Sequence, residues 1–168
     1  VKGIKFAYVG LTEPTNGLSL PDGSKTILML GADEDRIEKR VKAASEISDM
    51  TIVNVHWGEE YTHTPTDRQH ELAQKLADWG ADIIIGTHPH VIQPVEYITA
   101  ADGRKVLVIY SLGNFISAQD RGPRMLGGMM HITVTKDCQK NTTEVTKAKF
   151  TGTVTHYDSG FSNVSVYN

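Results

Sequence analysis

Residues 82–86 (DIIIG) form a short, almost unbroken apolar run, the pattern of a strand covered on both faces and so placed in the middle of a sheet. Two further runs of strand character precede it, residues 5–10 (KFAYVG) and the β-branched 51–55 (TIVNV). Helical patterns separate the three. Over residues 33–48, apolar or small side chains recur at Ile37, Val41, Ala44 and Ile47, with Glu38, Arg40 and Lys42 facing elsewhere. In the second pattern Thr64 is a candidate N-cap with Pro65 at the first helical position. Gln69, Leu72, Ala73 and Leu76 make its inward stripe, and Gly80 closes it after Trp79. Residues 11–23, rich in Thr, Pro, Gly and Ser, read as a loop. Strand, helix, strand, helix, strand predicts an α/β fold with a parallel core.

The rest of the chain changes character. Residues 95–99 and 105–110 flank Asp102-Gly103, a hairpin turn signal. After a loop over 111–124 come two alternating segments, 129–135 and 144–157, joined by a polar turn around Lys140 and Asn141. Parallel strands are thus followed by antiparallel ones. At 168 residues, 39% hydrophobic and 22% charged, the chain has the size and composition of one globular domain spanning 1–168. Its 17 Lys and Arg against 20 Asp and Glu give a net charge of -3 with no basic stripe, which argues against a nucleic-acid partner. No apolar run approaches the ~20 residues of a helical bilayer span, so no transmembrane segment is expected in this chain. Cys138, the sole cysteine, excludes an intrachain disulfide and sits in a polar turn as an inert thiol.

Ligands of open α/β sheets bind outside the carboxyl ends of the parallel strands. Polar residues collect there: His56-Trp57-Gly58-Glu59-Glu60-Tyr61 after 51–55, Gly86-Thr87-His88-Pro89-His90 at the end of 82–86, and Ser111-Leu112-Gly113-Asn114 after 105–110. His88 and His90 are two apart, and Pro89 favours an extended backbone that would send both rings to one side. Such a pair suits one or two divalent ions, or is a surface turn with two solvated histidines. His56, ending a neighbouring strand, favours the metal. Glu59 and Glu60 offer carboxylate as ligand, orienter or general base, or form a solvated acidic turn. His63 and His70 read as surface residues, and His131 and His156 as satisfied histidines of the late strands. Gln69, polar on an inward stripe, is placed to hydrogen-bond the site from behind.

The strings VNVHWGEEY, PTDRQHELAQKLADWGADIIIGTHPHVIQPVEY and VIYSLGNF resemble the bacterial capsule-synthesis domain called CapA or PgsA, associated with poly-γ-glutamate capsules. The likeness is close over 53–115 and looser at either end. That family is similar to calcineurin-like metallophosphoesterases, which implies a four-layered α/β/β/α sandwich with two metals at the strand ends, this chain supplying its C-terminal half. The resemblance implies His56, His88 and His90 as metal ligands. It points to Glu60 and His90 as catalytic groups and to Gln93 and Asn114 as substrate-binding, with Gln69 and Glu96 also at family positions. The cofactor implied is a divalent metal ion, two in the complete domain, of zinc, manganese or iron type. The early D-x-H, the bridging aspartate and the Asn-His motif of metallophosphoesterases do not occur in this chain. It is therefore expected to be the C-terminal part of a larger domain and inactive alone.

The implied function is an accessory role in capsule (poly-γ-glutamate) biosynthesis or export. Two alternatives stay open: a metal-dependent hydrolase of phosphoester or polymer amide bonds once the missing half is present, and a non-catalytic binding module with a degenerate metal site. Implied partners are the anionic capsule polymer or its synthase complex, and a second copy of the chain through an uncovered sheet edge. The implied location is extracytoplasmic and membrane-associated.

Overall fold

A computed structural model of the chain describes residues 1–13, 15, 17, 19–23 and 33–168. The first strand, β1 (Phe6–Thr12), is followed by helix α1 (Glu34–Glu46), strand β2 (Met50–His56), helix α2 (Asp67–Asp78) and strand β3 (Ile83–Thr87). Then come β4 (Val95–Thr99), β5 (Lys105–Ile109), a single helical turn α3 (Gly122–Met125), β6 (Leu126–Asp137), β7 (Thr142–Asp158) and β8 (Ser162–Tyr167). Five strands form one sheet in the order β1-β2-β3-β5-β4, and three form another in the order β6-β7-β8. β1, β2, β3 and β5 run parallel, with β4 antiparallel on the far edge. β3 lies at the centre, as its apolar run requires. The second sheet is antiparallel throughout.

The pleat sorts each strand's side chains into two cores. One face meets the helices: Val53, Val55, Ile84, Val106 and Val108 pack with Ile37 and Val41 of α1 and Leu72, Ala73 and Leu76 of α2. The opposite face of the same strands, through Met50, Ile52, Ile83, Leu107 and Ile109, packs on Met130, Ile132, Val134, Val145 and Ala148 of the second sheet. Helices, sheet and sheet are three layers of an α/β/β/α arrangement. Each fully buried aliphatic side chain contributes about 1.5–3 kcal/mol, so the two faces of the central strands hold the domain together. Phe150, Val154 and Tyr167 of the second sheet are exposed.

Several boundaries differ from the sequence reading. β1 runs on through Leu11 and Thr12, and positions 14, 16 and 18 of the expected loop lie outside the described residues. The cap of α2 is Thr66, not Thr64, because Thr66 and Gln69 close a capping box. The Thr66 hydroxyl accepts from Gln69 N–H, and Gln69 Oε1 accepts from Thr66 N–H. β8 adds a strand that the sequence reading did not include. His131 and His156 are exposed on the second sheet instead of satisfied in a core.

Candidate metal centre

The carboxyl ends of β2 and β3 meet in register, His56 opposite Thr87, and the polar segments that follow fold over them. Trp57 N–H donates to Thr87 O at 3.1 Å, and Tyr61 N–H donates to Pro89 O at 2.7 Å, so the two segments are tied together by backbone. His88 and His90 both have positive φ, 102° and 59°. The extended geometry expected around Pro89 is therefore replaced by two left-handed residues. Each such conformation costs a non-glycine residue about 1–3 kcal/mol and persists where surrounding contacts impose it. The rings still converge, their centroids 6.1 Å apart.

Glu60, His88 and His90 bring one ligand atom apiece to within 4.8 Å of one another. His56 stands beside this group, its ring centroid 4.3 Å from that of His88 and its Nδ1 within 3.2 Å of Thr12 Oγ1. The three histidines of the sequence reading lie side by side, and Glu60, read there as a catalytic group, joins His88 and His90 as a third candidate ligand. His88 Nδ1 is buried without a hydrogen-bond partner. Burial, followed by the neighbouring charges of His56 and His90, holds the His88 pKa below its ordinary value, while Glu60 acts in the opposite direction. His88 is thus neutral at neutral pH, the form that ligates a metal.

Asn114 fixes the second imidazole. Its Nδ2 donates to Arg124 O at 2.9 Å and His90 O at 3.3 Å, which turns Oδ1 toward the His90 ring. His90 Nδ1–H donates to that Oδ1 at 2.8 Å and leaves Nε2 with its lone pair outward. An orphaned buried nitrogen, an oriented imidazole and a carboxylate are a donor set that fits a divalent zinc-like ion.

Beneath the site lies a buried amide chain. Gln69 Nε2 donates to Gln93 Oε1 at 3.0 Å, and Gln93 Nε2 donates to Thr62 O at 2.8 Å. Gln93, expected to meet substrate, is 2% exposed with both ends of its amide engaged by protein. A Cβ on Gly58, whose φ is 78°, would stand 2.5 Å from Gln69 Oε1, so only glycine lets this loop lie on the amide. A Cβ on Gly86 would stand 2.1 Å from Tyr110 O and 2.2 Å from Trp57 Nε1, the two atoms joined by a 2.9 Å hydrogen bond. Tyr110 OH in turn donates to Glu96 Oε1 and accepts from His70 Nδ1–H, so Glu96 and His70 brace the far side of the core. His63 is exposed, and its Nδ1–H donates to Ile92 O.

Two residues at the rim were not singled out by sequence. The Tyr61 ring stacks beside His90 at 6.0 Å and 28°, and the Arg124 guanidinium lies over Tyr61, 3.2 Å from its centroid. Tyr61 could have been suspected from its place after Glu59-Glu60. Arg124 carries no local signal.

The family model for the bacterial capsule synthesis protein PGA_cap matches residues 1–119. That span holds every residue of the cluster and ends before β6. The "PGA biosynthesis protein CapA" of Bacillus subtilis (strain 168) is 37% identical over 119 residues, 71% of this chain and 30% of that protein. The "Capsule biosynthesis protein CapA" of Bacillus anthracis is 34% identical over 125 residues, 71% of this chain and 28% of the relative. An uncharacterized protein, y4sH, of Sinorhizobium fredii is 34% identical over 122 residues, 68% of this chain and 24% of its own length. The chain thus spans less than a third of the length of each of these relatives. Its helices on a largely parallel sheet, backed by an antiparallel one, agree with a metallophosphoesterase-like domain. With most of its length and its whole histidine cluster inside the match, the chain belongs to the bacterial capsule synthesis protein PGA_cap family.

Proposed function

We propose that this chain serves capsule (poly-γ-glutamate) biosynthesis or export at the cell envelope, as part of a larger CapA-like protein, and that Glu60, His88 and His90 hold a divalent metal ion there. The names of its relatives support the capsule role. The observation that carries the metal is the buried His88 Nδ1 without a partner, inside a cluster whose other imidazole is already oriented. Bound metal would supply a Lewis acid and lower the pKa of a coordinated water. Within the chain, Asn114 sets the His90 tautomer, Gln69 and Gln93 brace the loop beneath, and Glu60 is the one carboxylate in the close group.

Metal analysis of the purified chain tests this. We expect stoichiometric zinc or manganese, reduced at least tenfold in affinity by His88→Ala and His90→Ala and less by His56→Ala, which removes a neighbour of the group. Wild-type protein without affinity for either ion would overturn the reading. A hydrolase reading follows where the complete protein adds the carboxylates of a second site. The chain alone should leave a generic phosphodiester at the buffer rate, and turnover lost in His88→Ala would refute that. We extend the proposal to self-association through the edge of β1 that is unpaired among the described residues.

A further inference from the structure

Arg124 is held by two independent ties at the rim of the cluster. Its backbone oxygen accepts from the Asn114 amide that orients His90, and its guanidinium lies flat over Tyr61, the ring stacked beside His90. The neighbouring chain is built to keep it there. Arg124 N–H donates to Arg121 O at 2.8 Å in the turn of α3, and Gly113 bridges to Gly127, where a Cβ would stand 2.1 Å from Asn114 O. Arg36, Arg68 and Arg104 are spent in ion pairs. The Arg124 guanidinium, half-buried, has its ring contact but pairs with no carboxylate among the described residues.

A guanidinium stacked on an aromatic face uses its plane and keeps its edge N–H groups for in-plane acceptors. We propose that Arg124 is the specificity residue of this site, a clamp for an oxyanion, carboxylate or phosphate, carried by the ligand that approaches the cluster. Bidentate guanidinium–oxyanion pairs are the strong form of charge-assisted hydrogen bond, and the stack on Tyr61 pre-sets the fork. The inference rests on the metal-centre reading for its ligand's location, but not for the arginine's own chemistry.

Calorimetric titration of the 168-residue chain, zinc-loaded and chelator-treated, with a glutamate oligomer and separately with inorganic phosphate, tests it. Arg124→Gln should weaken the oxyanion that binds by about tenfold or more, and Arg124→Lys by about threefold to fivefold, since the charge stays while the planar fork is lost. Arg121→Gln, an exposed neighbour, should change it by less than about twofold. Zinc affinity should be unchanged in all three variants. Loss with the oligomer alone assigns carboxylate, loss with phosphate alone assigns a phosphoryl group, and loss with both assigns a general clamp; each upholds the proposal. Equal affinity in Arg124→Gln and wild type, no binding of either anion, or a parallel fall in zinc affinity would overturn it. Should Arg124→Gln fail to fold, Arg124→Lys decides by the same comparison. Zinc uptake failing in wild type sinks the metal reading alone, and the Arg124→Gln ratio in chelator-treated protein then judges the arginine.

Discussion

Asn114 decides which nitrogen of His90 faces the cluster. Its amide is committed on the Nδ2 side to two carbonyls, so Oδ1 can only accept, and His90 must carry its proton on Nδ1. Replacing Asn114 by Leu removes that acceptor and frees the ring to rotate or change tautomer. Zinc affinity should fall about 10–100-fold in a chelator competition titration, and Asn114→Asp, which keeps the acceptor but sets its second carboxylate oxygen against the carbonyls of His90 and Arg124, should restore only part of it. An unaltered affinity in Asn114→Leu would show that the tautomer is fixed by something else. At this scale residue type and place after strands single out the histidines, whereas they leave Glu59 and Glu60 equal, and only the family resemblance favours Glu60. The left-handed backbone at His88 and His90 was not, because proline's local preference argues for extension and the ties from Trp57 and Tyr61 that override it come from another segment. The contact of Arg124 on Tyr61 was equally hidden, being made by residues far apart in the chain.

The elements are joined by charge as well as by packing. Glu34, in the first turn of α1, accepts from Arg68 and Lys75 of α2, both at 2.8 Å, while Arg68 also reaches Glu13 after β1. The Lys75 hydrogen bond, then that of Arg68, hold the Glu34 carboxyl below its ordinary value of 4.5, with burial opposing. A depressed carboxyl stabilises the fold above its unfolded pKa, and that contribution is lost as pH falls through the folded one. Glu34→Gln should therefore melt about 1–3 °C below wild type at neutral pH, a modest effect because the pairs are partly solvated. The gap should close progressively below pH 4.5, and a gap that persists in acid would assign the loss to packing or to the helix dipole. None of this network could be read from spacing, since it depends on how α1 and α2 lie together. The helices themselves were legible through their apolar periodicity. The start of α2 was misplaced by two residues because Thr64-Pro65 is a good local signal, and the reciprocal bonds of Thr66 and Gln69 outweigh it.

On the scale of the whole molecule, the five-stranded sheet ends at β1, whose only strand neighbour among the described residues is β2. Tyr8 on that edge is 70% exposed and Ile47 of the adjoining helix end 64%, and both line a groove with Val9, Gly10, Ala43, Ala44 and one charged residue, Arg40. A strand edge that is unpaired among the described residues, beside a largely apolar groove, invites another strand, and a second copy of the chain offers the same edge. Sedimentation velocity should show a dimer fraction that grows with concentration. Gly10 is the place to test this: it is exposed, and a Cβ there meets nothing within 4 Å. Gly10→Lys sets a charge on the edge with no steric demand on the fold. Self-association should weaken about tenfold, while the melting temperature holds or rises, because a strand glycine replaced by a residue with a side chain loses less entropy on folding. A wild type that stays monomeric at every concentration, or a Gly10→Lys variant that dimerises as well as wild type, would place any partner elsewhere. A variant that dimerises less but also melts lower would point to damage of β1 itself, and the unchanged melting temperature is what separates the two.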